Sequence, residues 1–139
     1  MRGTYLLDTN AVISLINRDE TVRKRFSAAS KGGDIFVSSV VLFELSYGVA
    51  RSASERRAEN ALQLRTFMAG AIGVVPFDEE DAAVAGDLRF ALESDGTPIG
   101  PFDLLIAAQA LRMKATLVTA NVGEFSRVQG LAWENWKAA

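Results

Sequence analysis

Thr4-Tyr5-Leu6-Leu7-Asp8-Thr9-Asn10-Ala11-Val12-Ile13-Ser14-Leu15-Ile16 is the stretch on which the fold turns. Its first part is a short apolar run halted by Asp8, which reads as a buried strand over 4–8. Asp8, Thr9 and Asn10 are all favourable helix N-caps, and the apolar residues from Ala11 to Ile16 continue as a helix. A strand that feeds straight into a helix is half of a βαβ unit. The rest of the chain repeats that alternation.

Moving outward, Arg18, Arg23, Lys24 and Arg25 make a polar stretch anchored by Phe26, and Gly32-Gly33 reads as a breaker. A second strand is predicted over 35–39, with helices over 40–50 and 54–70. Residues 74–77 read as a third strand, which Pro76 places at a sheet edge or strand end. A helix over 81–92, a turn-rich loop over 96–101 and a helix over 103–114 follow. Strands are then expected at 115–119 and 131–133. This order implies an α/β three-layer sandwich, with a mostly parallel central sheet of four to five strands flanked by helices. At 139 residues, 49% hydrophobic and 23% charged, residues 1–139 are expected to form one domain.

The composition removes whole classes of chemistry. With no cysteine and no histidine, disulfides, zinc fingers, thiol nucleophiles, Ser-His-Asp triads and paired-histidine RNA cleavage are excluded. An enzyme built from this sequence relies on carboxylates, hydroxyls, lysines or a hard metal ion. No stretch approaches a membrane span, and Asp8 interrupts the N-terminal apolar run far short of a signal-peptide core. The expectation is a soluble cytoplasmic protein. A formal net charge of −2 gives no overall attraction for nucleic acid, so any such contact depends on local patches.

Three acids stand where the pattern asks for apolar residues. Asp8 ends the first strand, at the sheet edge where ligands bind in open parallel sheets, and reads equally as the cap of the next helix. Glu44 lies within Val40-Val41-Leu42-Phe43-Glu44-Leu45-Ser46-Tyr47-Gly48-Val49, with no basic residue three or four positions away. A carboxylate there needs a cleft, a partner or a cation. Asp103 opens the apolar helix of Pro101-Phe102-Asp103-Leu104-Leu105-Ile106, where capping alone is a sufficient explanation. All three sit at, or one turn into, a helix that follows a strand or loop. If they converge, their repulsion raises their pKa values or demands a divalent cation. Oxygen-only ligands suit Mg²⁺ or Mn²⁺, and phosphodiester hydrolysis is the chemistry such an ion supports. Thr119 and Asn121, leaving the fourth strand, are placed to position a water, although Asn121 also reads as a turn former.

Four blocks together resemble the signature of PIN-domain proteins, and most of all the VapC-type toxins of bacterial toxin–antitoxin pairs. They are Leu6-Leu7-Asp8-Thr9-Asn10, Ser38-Ser39-Val40-Val41-Leu42-Phe43-Glu44-Leu45, Ile99-Gly100-Pro101-Phe102-Asp103-Leu104-Leu105-Ile106-Ala107 and Leu117-Val118-Thr119-Ala120-Asn121-Val122-Gly123-Glu124-Phe125. The likeness spans essentially the whole chain and ends in the tail Phe125, Val128-Gln129-Gly130-Leu131 and Trp136. It implies an Mg²⁺- or Mn²⁺-dependent endoribonuclease acting on single-stranded or looped RNA. It also implies a VapB-type antitoxin that fills the active-site groove and alone contacts operator DNA, and a homodimeric toxin. Asp8, Glu44 and Asp103 match the acidic, metal-holding positions, and Thr119 matches the nearby hydroxyl. Asn121 falls on the fourth acidic position of many members, while Ala120 and Gly123 depart from the commoner Asn and Arg. Glu124 compensates only if it turns inward. Arg18, Arg23, Lys24, Arg25, Arg51, Arg56 and Arg57 are candidates for phosphate contacts along a groove, or else a solvated helical face.

The departures at 120, 121 and 123 suit a degenerate, non-catalytic PIN-like module that binds RNA or a protein. Haloacid-dehalogenase-type phosphatases share the Asp-ended strand but want a second Asp where Asn10 stands. Phosphate-binding Gly-x-x-x-x-Gly-Lys and Gly-x-Gly-x-x-Gly loops are missing from the sequence.

Overall fold

The centre of the sheet is β1 (Gly3–Leu7), whose Leu6 and Leu7 have no exposed surface. Strands covered on both faces read as continuous apolar runs, and each such leucine stabilises the fold by about 1.5–3 kcal/mol. The computed structural model describes residues 3–70 and 72–138. Met1, Arg2, Ala71 and Ala139, part of the span expected to fold as one unit, lie outside the described residues.

After β1 come α1 (Thr9–Ile16), α2 (Glu20–Gly32), β2 (Gly33–Ser38), α3 (Ser39–Ala50) and α4 (Ser54–Met68). The chain continues through β3 (Gly73–Val75), α5 (Glu79–Ser94), α6 (Pro101–Met113), β4 (Thr116–Val118), α7 (Val122–Phe125) and β5 (Trp133–Glu134). The strands form one sheet in the order β3-β2-β1-β4-β5, and every pairing is parallel. The α/β architecture expected from the sequence is therefore present, with five strands. Pro76 directly follows β3, which is an edge strand as the proline predicts.

The order runs outward from β1 to β2 and β3, then returns to β4 on the other side of β1. Right-handed crossovers place α1–α4 on one face of such a sheet and the α5–α6 connection on the other. The order therefore reverses between β1 and β4, beyond whose carboxyl ends ligands bind in open α/β sheets.

The local structure departs from expectation at α2 and at the last strand. The polar stretch after Arg18 belongs to a full helix, α2, capped by Asp19 Oδ1, which accepts from the Val22 amide at 3.1 Å. Val22, Phe26 and Ala29 turn one stripe of α2 to the core, and its charged residues face outward. Gly32-Gly33 does break the helix, since α2 ends at Gly32 with Gly33 as its C-cap, and Gly33 then opens β2. A Cβ there would lie 2.7 Å from the Gly3 carbonyl oxygen, so glycine is what lets β1 and β2 pair in this register. The last strand is Trp133–Glu134 instead of 131–133.

Next to the end of the edge strand β3, buried Asp81 and Gln109 lock α5 to α6. Asp81 and Asp78 form a capping box, and Arg112 pairs with Asp81. Gln109 Nε2 donates to the Pro76 carbonyl at 3.1 Å and to Asp81 Oδ2 at 3.3 Å.

Candidate active site

Asp8 reaches the rim through backbone pairing: its N–H donates to the Val118 carbonyl at 3.0 Å, extending the β1–β4 ladder by one rung. Its carboxylate caps α1, with Oδ1 accepting from the Ala11 amide at 2.8 Å. The N-cap reading of Asp8 therefore holds, and the cap fixes its carboxylate at the carboxyl end of β1. Only 4% of Asp8 is exposed, and burial pushes its pKa up, opposed by hydrogen bonds from Thr119 and Ala11. Thr119 is also buried, and its Oγ1 accepts from the Asn121 amide at 2.9 Å.

Glu44 sits in the second turn of α3, after Ser38 has capped that helix through the Val40 amide at 3.0 Å. It is half-buried, and its Oε1 accepts the Thr9 hydroxyl at 2.7 Å. The neighbouring Phe43 and Tyr47 are exposed at 55% and 60%. The solvent side of α3 is therefore aromatic, which explains why the helix shows no polar face in sequence.

Asp103 is the third residue of α6 and does not cap it. The N-cap is Gly100, with no side-chain cap bond, and Pro101 supplies a residue with no N–H to satisfy. Freed from capping, Asp103 Oδ2 accepts from Asn121 Nδ2 at 3.3 Å. The same Nδ2 donates to Glu124 Oε2 at 2.7 Å, while Glu124 Oε1 accepts from the Gly100 amide at 3.0 Å.

Glu124 is the residue that the sequence left open, and α7 turns it inward. Asn121 and Glu124, three apart across this single helical turn, share a side. Asp103 and Glu124 thus share the Asn121 amide and stand as neighbours, each shifting the other's pKa. Burial first, then Glu124, then the charges of Asp8 and Glu44 push Asp103 up to about 7. Glu124 is lowered, chiefly by Asp103 and by the Gly100 amide. Asp8, Glu44 and Asp103, far apart in sequence, thus stand within one another's fields, with Glu124 as a fourth carboxylate.

Among the described residues, no lysine or arginine forms an ion pair with any of these four carboxylates. Nor do three acidic groups among the described residues already lie close enough to enclose an ion. The donor set nonetheless fits a hard divalent cation, because Mg²⁺ takes one or two carboxylates and fills its shell with waters and substrate phosphate. Oxygen is the donor at every position.

Of the candidate phosphate-binding cations, Arg25 faces Glu134 at 3.7 Å, and Arg57 donates to the Ser52 carbonyl at 3.0 Å. Arg51 lies 5.6 Å from the centroid of the Tyr47 ring. Beside Thr9 and Glu44, a groove of about 270 Å³ opens between α1, α3 and α4, with Ile13, Ile16, Leu45, Val49 and Leu64 in its walls.

An all-parallel sheet carrying acids on its carboxyl rim, beside the strand-order reversal, defines a class, and the chain's relatives agree. Residues 5–131 match the PIN domain, and the chain belongs to that family. It is 38% identical over 133 residues to ribonuclease VapC2 of Rickettsia felis, covering 95% of this chain and 97% of that one. Identity and coverage are the same with the tRNA(fMet)-specific endonuclease VapC of Shigella flexneri. The crystal structure of VapBC2 from Rickettsia felis bound to a DNA fragment from its promoter matches with a TM-score of 0.89. That match has 36% identity and covers 96% of this chain and 98% of the other. The DNA-bound VapBC of Salmonella typhimurium gives 0.87 at 33% identity, covering 98% and 99%. No helix among the described residues is long and apolar enough to cross a membrane.

Proposed function

We propose that this chain is a VapC-type toxin: an Mg²⁺- or Mn²⁺-dependent endoribonuclease that hydrolyses single-stranded or looped RNA and is neutralised by a VapB-type antitoxin. One observation carries the reading. Asp103 is pushed up to about 7 by burial and by Glu124, Asp8 and Glu44, and none of these carboxylates has an ion-paired base among the described residues. Gathering like charges this way costs stability unless a cation joins them.

Asp8, Glu44 and Asp103 would hold the cation. When bound, the ion supplies an activated water and offsets the charge that develops on the phosphate. Thr119 fixes the Asp8 carboxylate by donating its hydroxyl. Asn121, through one Nδ2, steadies Asp103 and Glu124 together, so it positions ligands without being one. Glu124, held by the Gly100 amide and Asn121, stands beside Asp103 and would favour its neutral form until a cation offset the charge.

The antitoxin places apolar side chains in the groove between α1, α3 and α4, whose mouth is formed by Thr9 and Glu44. Occupancy there seals one side of the acid cluster, and operator DNA is contacted through the antitoxin. The fMet transfer RNA for which relatives are named is the first substrate to offer.

The test is Mn²⁺-dependent cleavage of that RNA by wild type, Asp8→Asn and Asp103→Asn. Each variant is expected to lose at least 100-fold in rate while melting within a few degrees of wild type. Undiminished cleavage by either would contradict the reading. A wild type that neither cuts RNA nor takes up Mn²⁺ in an acid-dependent way is the non-catalytic module instead.

A further inference from the structure

Each of two site acids is preceded by an exposed phenylalanine: Phe43 before Glu44, and Phe102 before Asp103. Their side chains meet across the rim between α3 and α6, with ring centroids 5.6 Å apart and planes tilted by 51°. Contact with each other does not bury them, since Phe43 stays 55% and Phe102 42% exposed. Tyr47, one turn on from Phe43 and 60% exposed, continues the line. Arg51, a further turn on, places its guanidinium 5.6 Å from the Tyr47 ring centroid. Residues four apart share a helix face, and Phe43 to Arg51 spans about 12 Å of α3. The surface therefore runs from carboxylates, through aromatic rings, to a cation.

We infer that Phe43 and Phe102 form a stacking platform for an unpaired base beside the scissile phosphate, with Tyr47 and Arg51 extending the track along the same RNA strand. This rests on the ribonuclease reading above and assigns the substrate's path across the site. The order of chemistry fits that strand: acids where the phosphate reacts, π faces where bases stack, a guanidinium where another phosphate follows. An aliphatic protein segment has a better seat in the groove between α1, α3 and α4, which uses Leu45 and Val49 on a different face of α3. Stacking tolerates any base, so the platform selects for unpaired RNA rather than for a sequence.

The experiment compares an oligoribonucleotide that wild type cuts with the same strand made abasic on either side of the cleaved bond. Base–aromatic stacking predicts that wild type loses roughly 5- to 150-fold in kcat/KM on one of the two abasic strands. The variant Phe43→Ala/Phe102→Ala is expected to lose a similar factor on the intact strand and to treat intact and abasic strands alike. The variant Phe43→Tyr/Phe102→Tyr restores the discrimination, and melting temperatures stay level because the rings are exposed. Equal cutting of intact and abasic strands by wild type overturns the platform and leaves the nuclease reading standing. A double-alanine variant that sediments as a monomer where wild type is a dimer also overturns it, assigning the rings to a second copy. If wild type cuts no RNA at all, the nuclease reading fails and the platform goes with it.

Discussion

The Thr9 hydroxyl donates to Glu44 Oε1 at 2.7 Å, across 35 residues of sequence. This bond ties the first turn of α1, whose cap is Asp8, to the second turn of α3. Two of the site acids are thereby held on helices that are themselves clasped. Removing such a support from a ligand typically costs 10- to 100-fold in metal affinity or activity. Thr9→Val, which keeps the shape and removes the donor, is expected to weaken Mn²⁺ binding by about that range. Thr9→Ser is expected to recover most of it. Calorimetric titration checks both.

Asp103 makes the cation-free protein sensitive to pH. Its folded pKa, raised to about 7 by burial and neighbouring acids, lies above its unfolded value. The stability it contributes is therefore complete below the unfolded value and is lost as pH rises through about 7. With chelator present, wild type is expected to melt a few degrees lower at pH 8 than at pH 5, relative to Asp103→Asn. Added Mn²⁺ should restore more stability at pH 8 than at pH 5, because at low pH it competes with the Asp103 proton. Glu124→Gln removes one source of the shift and is expected to shrink the pH effect. Differential scanning fluorimetry across pH reads all three proteins.

The α5–α6 lock is a stability device separate from the acids. Asp81 is fully buried and depends on Arg112 for its charge partner. Arg112→Ala leaves that carboxylate to Gln109 and the Asp78 amide, at an expected cost of about 3–5 kcal/mol. Urea unfolding should show the loss, with Mn²⁺ affinity of the folded protein unchanged.

Helix α6 ends on Lys114, a non-glycine residue with φ of 56°. The left-handed conformation strains a side chain that glycine lacks. Lys114→Gly is expected to raise stability by about 0.5–1 kcal/mol, read as a higher urea midpoint.

The strand-and-helix alternation and three of the four carboxylates were legible because each is a local signal. Leu6-Leu7 ending on Asp8, and Glu44 set among apolar residues, stand out from their immediate neighbours. Helix α2 was obscured by charge: its core stripe of Val22, Phe26 and Ala29 is present at helical spacing, but three basic residues at 23–25 dominate the reading. Asp19 as a cap, with Glu20 beside it, was the signal that marks the helix start. Glu124 was harder, because its role depends on a one-turn helix that points it at Gly100 and Asp103. Its only sequence clue is the spacing of three from Asn121. The Asp81–Gln109–Arg112 lock leaves no local trace, since its partners meet only once α5 and α6 pack.

That the acids share one divalent ion is tested most directly by a crystal soaked in Mn²⁺ and measured at the manganese absorption edge. An anomalous peak bonded to carboxylate oxygens of Asp8 and Asp103, and absent from Asp103→Asn crystals, is the expected result. Crystals in which the manganese sits elsewhere, or in which Asp103 stays beside Glu124 with no ion at saturating Mn²⁺, would contradict the account.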